Sequence, residues 1–184
     1  QDEANVNQVE ISTIAMGQGI SVTPIQMITA VSAIANEGVL LKPTLVSKVM
    51  DGDTVVYEHQ PEEVRQVVSA ETAATVRELI VNVVSNGSGT QAAIDGYTIG
   101  GKTGTAQKAS ETGGYAPGKY VASFVGMVPA DDPELVCLVV VDEPSGVYYG
   151  SQTAAPIFHS VMSDTLRYLG IDPEVDANDG IEDG

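Results

Sequence analysis

Leu135-Val136-Cys137-Leu138-Val139-Val140-Val141-Asp142 is the stretch that decides the fold. Seven apolar residues run without a polar break between Pro133 and Pro144, as expected of a strand covered on both faces. Cys137 inside it reads as a small buried hydrophobe and not as a nucleophile. Just upstream, Asp131-Asp132-Pro133 is a turn short enough to make this strand the antiparallel neighbour of a second candidate, Tyr120–Val128. A third candidate, Tyr97–Gln107, precedes that one across the loop-like segment Ala109–Gly118. These intervals are too short for crossovers through a helix. The fold class predicted is therefore α+β, an antiparallel sheet of three C-terminal strands covered by helices.

Helical signals lie on both sides of the three strands. Thr23 suits an N-cap and Pro24 the first helical position, where its missing N–H costs nothing. Met27, Ile28, Val31, Ile34 and Ala35 then recur at helical spacing up to Gly38, and core packing is the reading of that stripe. Residues 39–58 read as two short strands around the turn Asp51-Gly52-Asp53, and Pro61-Glu62-Glu63 breaks the pattern. A second helix is predicted from Ser69, its cap, to Asn86, with Glu71 in the first turn and Val76, Leu79, Ile80, Val83 and Val84 as its apolar stripe. Asn86-Gly87-Ser88-Gly89 ends it. A last helix starts near Pro156 and carries Ile157, Phe158, Val161, Met162, Leu166 and Leu169. Residues 1–11 are polar and uninformative, followed by the short apolar run Ser12–Met16. Residues 172–184 hold six carboxylates and almost nothing apolar, the composition of a disordered tail. The folded region is thus expected over residues 1–171.

Composition narrows the function. The 184 residues include 8 Lys and Arg against 25 Asp and Glu, a net charge of −17. Five lysines and three arginines are too few to neutralise a phosphate backbone, so no nucleic-acid partner is expected. One cysteine excludes an internal disulfide. No apolar run in these residues approaches the roughly 18 residues of a membrane span, and no stretch of them reads as a signal peptide. The chain opens on Gln1 and not on methionine, as expected of a piece of a longer protein.

The densest group of unusual residues is Ile99-Gly100-Gly101-Lys102-Thr103-Gly104-Thr105-Ala106-Gln107. Gly96 to Thr103 formally satisfies the phosphate-loop pattern G-x-x-x-x-G-K-[ST]. Such a loop must leave a buried strand and enter a helix whose N–H groups meet the phosphates. Here Ser88–Asp95 is no such strand, and a glycine-rich loop follows. The alternative is a strand facing a cleft. Glycines around the Lys-Thr pair strip the strand of bulk, so an extended ligand can lie against its backbone. Strand alternation sends Lys102 and Gly104 one way, Thr103 and Thr105 the other. A cation and hydroxyls then stand ready for a carboxylate. A glycine-rich edge strand with a solvated lysine accounts for these residues equally well. His59 and His159 stand alone, without a matched carboxylate cluster, so no metal site is expected. No cofactor is implied.

Gly101-Lys102-Thr103-Gly104-Thr105-Ala106-Gln107 resembles the lysine-threonine-glycine box of penicillin-binding proteins, the serine D,D-transpeptidases of cell-wall synthesis, and its Thr-Ala-Gln ending resembles their class B, monofunctional members. The flanks agree in family order from about residue 12 to 169. Gly17-Gln18-Gly19 with Thr23-Pro24-Ile25-Gln26 resembles the entry to a core helix, and Ala35-Asn36-Glu37-Gly38 its end. Ala122-Ser123-Phe124-Val125-Gly126 with Pro129-Ala130-Asp131-Asp132-Pro133 resembles the strand after the box and its turn. Asp142-Glu143-Pro144, Tyr148-Tyr149-Gly150 and Ala154-Ala155-Pro156-Ile157-Phe158 resemble the passage from the last strand into the terminal helix.

The resemblance implies a serine that attacks the D-Ala-D-Ala carbonyl of a peptidoglycan stem peptide, forming an acyl-enzyme that an amine of a neighbouring strand resolves into a cross-link; β-lactams acylate the same serine. It implies Lys102 as the catalytic cation beside the serine and Thr105 as the backbone oxyanion donor. Thr103, Gly104, Thr105 and Gln107 would be the substrate-binding residues. It further implies a membrane-anchored parent on the extracytoplasmic face of a bacterial membrane, a role in cell division or cell shape, and a cell-wall synthesis complex as partner. No serine here has lysine three residues later, and Ser85-Asn86 lacks the middle residue of S-x-N. In the family both motifs precede the lysine-threonine-glycine box. The expectation is a C-terminal portion of a transpeptidase domain, inactive alone, with its sheet open at both edges and the upstream remainder as its partner. A serine β-lactamase or carboxypeptidase relative, or a non-catalytic binding module of the same fold, are the alternatives.

Overall fold

The computed structural model describes residues 7–110 and 113–174. Its elements are α1 (Gln8–Ala15), α2 (Pro24–Ala35), β1 (Val39–Leu41), β2 (Lys48–Asp51), β3 (Thr54–Glu58), β4 (Glu63–Gln66), α3 (Ala70–Asn86), β5 (Gly100–Ala109), β6 (Tyr115–Val128), β7 (Leu135–Asp142) and α4 (Ala154–Leu169), with a 3-10 turn at Thr90–Ala92. β5, β6 and β7 form an antiparallel sheet in the order β5-β6-β7, so among the described residues each outer strand has one hydrogen-bonded neighbour. This is the predicted α+β architecture with its two open edges.

Local chemistry sets most helix ends. Thr23 accepts from the Gln26 N–H while the Gln26 side chain accepts from the Thr23 N–H, which occupies two otherwise orphaned donors. Ser69 accepts from the Thr72 N–H and caps α3. Gly170, at φ +70, closes α4 in a conformation that side chains disfavour.

The core lies between the sheet and α4. Phe158, Met162 and Leu166 of α4 pack with Phe124 and Val128 of β6, Ile99, and Val84 of α3. Phe124 and Phe158 meet as a tilted pair with ring centroids 4.8 Å apart. Leu135, Cys137, Val139 and Val141 line this side of β7. α2 and α3 lie on the other face, where Ile80 packs over Gly100. Phe124 explains two glycines. A Cβ on Gly101 would sit 2.4 Å from its ring, and one on Gly126 would meet both Phe124 and Phe158 at 2.9 Å.

Several expectations need correction. Cys137 is half-buried rather than buried: it packs against the margin of the α4-side core, on an outer strand with no described neighbour beyond it. Burial still raises its thiol pKa. The α2 stripe is only half-buried: Ile28, Val31, Ile34 and Ala35 are partly exposed, Met27 is exposed, and the one fully buried residue of the helix is Ala33, outside the stripe. Leu79 of α3 and Ile157, Val161 and Leu169 of α4 are exposed too, because no described element covers those helix flanks. Residues 8–15, read as uninformative or merely apolar, form α1, whose Val9 N–H is capped by Asn7. The stretch after Pro61 is strand β4, drawn out by pairing with β1. The predicted hairpin stands at β2 and β3. β6 begins at Tyr115, inside the segment read as loop. Its first residues pair with β5 alone, so Pro117 is tolerated. β5 begins at Gly100, since a turn with Gly96 at φ +84 occupies the residues before it. α4 begins two residues before Pro156. Glu174, assigned to the acidic tail, donates its N–H to Gly96 and accepts from the Thr98 N–H. The rest of that tail, 175–184, lies outside the described residues.

Candidate active site

Lys102, Thr103, Gly104 and Thr105 lie mid-way along β5, opposite Val125, Phe124, Ser123 and Ala122 of β6. The lysine is thus on an outer strand and not at a helix N-terminus, which removes the geometry a phosphate loop needs. Lys102 is exposed. Its ammonium donates to the Thr103 carbonyl at 2.9 Å and to Thr103 Oγ1 at 3.4 Å, and among the described residues it has no carboxylate partner. By reaching that carbonyl the ammonium marks it as facing the open edge, away from β6. Backbone groups alternate along a strand, so the N–H and C=O of Thr105 face the same edge. Gly104 leaves the strip between them bare. A Cβ there would fall 2.4 Å from Ser123 Oγ.

The two threonine hydroxyls have different partners. Thr103 Oγ1 is 3.0 Å from Ser88 Oγ, on the turn that follows α3. Thr105 Oγ1 accepts the Gly150 N–H at 3.1 Å. Gly150 lies flat against the sheet: a Cβ there would come within 2.4 Å of the carbonyls of both Gly104 and Ser123. The same glycine's carbonyl accepts from the N–H groups of Ala154 and Ala155, so β5 is tied directly to the start of α4. Ser88, Ser123 and Gly150 are absent from the sequence-based site. Glycine at 150 is a signal of close backbone approach, but its partner 45 residues away is not written in the sequence.

Gln107 is exposed two residues beyond Thr105, opposite Tyr120. Tyr120 stacks on Tyr148 at 4.1 Å, and Tyr148 leans on Tyr149 at 4.5 Å. The Tyr148 phenol is pushed up to about 12, first by its hydrogen bond with Tyr149 and then by the charge on Tyr149 and Tyr120. An ion-pair cluster fixes this end of the sheet. Lys108 meets Asp142 at 3.0 Å and Glu143 at 2.9 Å, and Lys119 meets Glu143 at 3.3 Å. Lys108 and then Lys119 hold the Glu143 carboxyl below its usual value, and Glu143 and then Asp142 raise the Lys108 ammonium. Glu143 takes a left-handed φ of +49 at this corner.

The histidines stand apart. His59 contacts the Tyr57 hydroxyl, and His159 Nδ1 contacts the Ala93 carbonyl. Among the described residues, no group of three or more His, Cys, Asp or Glu side chains gathers at one point. A cavity of about 490 Å³ beside His159 and a groove of about 380 Å³ against α2 are both lined by other residues than Lys102 and its neighbours. The β5 site is an open wall. It offers a cation, hydroxyls and edge N–H groups to an extended anionic ligand.

Comparison with known proteins bears on the family and the fold. Residues 1–163 match the penicillin binding protein transpeptidase domain family. The chain is 44% identical over 171 residues to the stage V sporulation protein D of Bacillus subtilis, covering 91% of this chain and 26% of that protein. It is 35% identical over 170 residues to a probable peptidoglycan D,D-transpeptidase of Neisseria flavescens, covering 90% of this chain and 39% of that one. Among solved structures, it superposes on penicillin binding protein 3 of Mycobacterium tuberculosis complexed with ampicillin, with a TM-score of 0.83 and 31% identity over 95% of this chain and 41% of that one. The chain therefore spans between about a quarter and two fifths of the length of these relatives.

Proposed function

This chain belongs to the penicillin binding protein transpeptidase domain family, and from that premise we propose that it forms the Lys-Thr-Gly wall of a class B peptidoglycan D,D-transpeptidase site. The serine nucleophile lies in the part of the domain that the relatives have and this chain does not span. The carrying observation is Lys102: an exposed ammonium with no carboxylate partner among the described residues, on the open edge of a strand thinned by glycine.

In this reading the D-Ala-D-Ala end of a stem peptide lies along β5. The serine oxygen attacks the penultimate D-Ala carbonyl, and the carbonyl oxygen becomes an oxyanion. The edge-facing N–H of Thr105 donates to that oxygen, together with the serine's own N–H; each such donor is worth on the order of 10²–10³ in rate. Lys102 stabilises the developing negative charge and favours the deprotonated nucleophile. Thr103 Oγ1 donates to the terminal carboxylate. The oxyanion collapses, the C–N bond breaks, D-alanine leaves carrying on its amine the proton that the serine gave up, and the acyl-enzyme waits for the acceptor amine. β-Lactams follow the first half of the path because they present a carboxylate and a strained amide in the same places. Gln107 borders the ligand beyond Thr105. Such a substrate lies outside the cytoplasmic membrane, so we place the whole protein there, anchored to the membrane and working within a wall-synthesis complex in division or elongation.

Labelling with a fluorescent penicillin, read by intact mass, tests the proposal. The complete domain should take up one penicillin and this chain alone none. A stoichiometric adduct on the isolated chain, or none on the complete domain, overturns it.

A further inference from the structure

Ser88 sits in a turn with little freedom to move. The N–H groups of Gly87 and Gly89 both donate to the carbonyl of Val83, at 3.1 and 2.9 Å, folding the chain back over the last turn of α3. A Cβ at Gly87 would come within 2.8 Å of that carbonyl, and one at Gly89 within 3.1 Å, so bulk is excluded on both sides of the serine. Ser88 itself is exposed, and its Oγ lies 3.0 Å from Thr103 Oγ1.

Hydrogen counting leaves this contact two arrangements, with either Ser88 or Thr103 as the donor. A hydroxyl has one hydrogen to donate and two lone pairs to accept with, whereas an ammonium can only donate. Lys102 already points a hydrogen at Thr103 Oγ1, at 3.4 Å. With Ser88 as the second donor, both lone pairs of Thr103 are engaged. The Thr103 hydrogen is then left to point away from both, toward the open edge of β5. We propose that Ser88 is a positioning residue: it turns the Thr103 O–H outward and so makes Thr103 a donor for the carboxylate of a bound stem peptide or β-lactam. This rests on the site reading above and adds to it a residue from outside the strand that selects for an anionic ligand.

The test uses the complete transpeptidase domain and two acylating probes, a penicillin and its carboxyl methyl ester, with acylation followed by stopped flow. The quantity read is the ratio of second-order rates, acid over ester. In Ser88→Ala that ratio should fall about five- to tenfold, the size of one hydrogen bond. Ser88→Thr keeps the hydroxyl and should keep the ratio. Ser88→Ala placed on Thr103→Val should lower it no further, because the two residues act as one unit. A merely structural serine would slow acid and ester alike; an unchanged ratio in Ser88→Ala, or additive losses in the double variant, overturns the inference. Lys102→Ala separates the two levels. If it abolishes acylation while the Ser88→Ala ratio is unchanged, only the positioning role falls. If Lys102→Ala acylates at the parent rate, the site reading falls and takes this inference with it.

Discussion

Thr105 Oγ1 accepts the Gly150 N–H at 3.1 Å, and this bond joins the candidate oxyanion strand to the first turn of α4. Replacing Thr105 by valine keeps the shape and removes the acceptor, leaving a part-buried N–H unsatisfied at a cost of about 1–3 kcal/mol. Gly150→Ala pushes a methyl against two backbone carbonyls, which cannot step aside as a side chain could. It should cost at least as much, roughly 1–3 kcal/mol or more. Urea unfolding followed by circular dichroism checks both; Gly150→Ala with unchanged stability would mean that the close approach at the sheet does not exist.

Gly101 and Phe124 give a second prediction of the same kind. Gly101→Ala places a Cβ 2.4 Å from the Phe124 ring, in a fully buried position. The variant should lose about 1–3 kcal/mol through overpacking. Phe124→Leu alone should also lose stability, by leaving space beside Phe158. Combined, the two changes should cost less than their sum, since the smaller side chain makes room for the methyl. Strict additivity in the unfolding free energies would argue against this contact.

The charge cluster at the end of the sheet sets a pH window. Glu143 is held below its usual value by Lys108 and Lys119, so its contribution is present above about pH 4.5 and is lost as pH falls through the depressed value. Lys108 is raised, so its contribution is present below about pH 10.5 and is lost as pH rises through the raised value. These groups are exposed, and solvent and salt weaken the pairs. The thermal midpoint should therefore be flat between the two limits and fall gently outside them. Glu143→Gln should flatten the acid limb, and 1 M salt should do the same to the parent. An acid limb identical in Glu143→Gln would assign it to other carboxylates.

What the sequence discloses of this fold is what local chemistry controls. β7 is bounded as read, from Leu135 to Asp142, because seven apolar residues between proline-marked turns admit little else. The caps at Thr23 and Ser69 are legible for a similar reason: each depends on residues three positions apart. β4 is not legible, since Glu63–Gln66 is polar and exposed and becomes a strand only by pairing with β1. Exposure is also hidden. Leu79 and Ile157 fit their helical stripes, but whether anything lies over them is a tertiary fact. At the site, the order Lys102-Thr103-Gly104-Thr105 and its strand are readable. The contacts that hold it, Ser88 to Thr103 and Gly150 to Thr105, span 15 and 45 residues and leave no periodic trace.

The sharpest prediction concerns Lys102 and Thr105 in the complete domain. Lys102→Ala removes the cation beside the Thr103–Thr105 edge and should slow acylation by penicillin about ten- to a hundredfold, the worth of a hydrogen bond to a charged group. Thr105→Pro deletes the edge-facing N–H and should cost on the order of 10²–10³ through the oxyanion. Thr105→Ala keeps that N–H. It gives up only the hydroxyl, whose bond in this structure goes to Gly150 rather than to the open edge. Its loss should therefore register mainly in the melting temperature, with acylation slowed less than about tenfold. Proline also disturbs the strand, so each variant is compared with its own thermal melt, and rates are read only where the domain is folded. The claim is the order: Lys102→Ala and Thr105→Pro each more damaging to acylation than Thr105→Ala. Stopped-flow acylation of Lys102→Ala within about threefold of the parent would make the lysine a bystander and remove β5 from the active site; Thr105→Ala as slow as Thr105→Pro would transfer the role from the backbone to the hydroxyl.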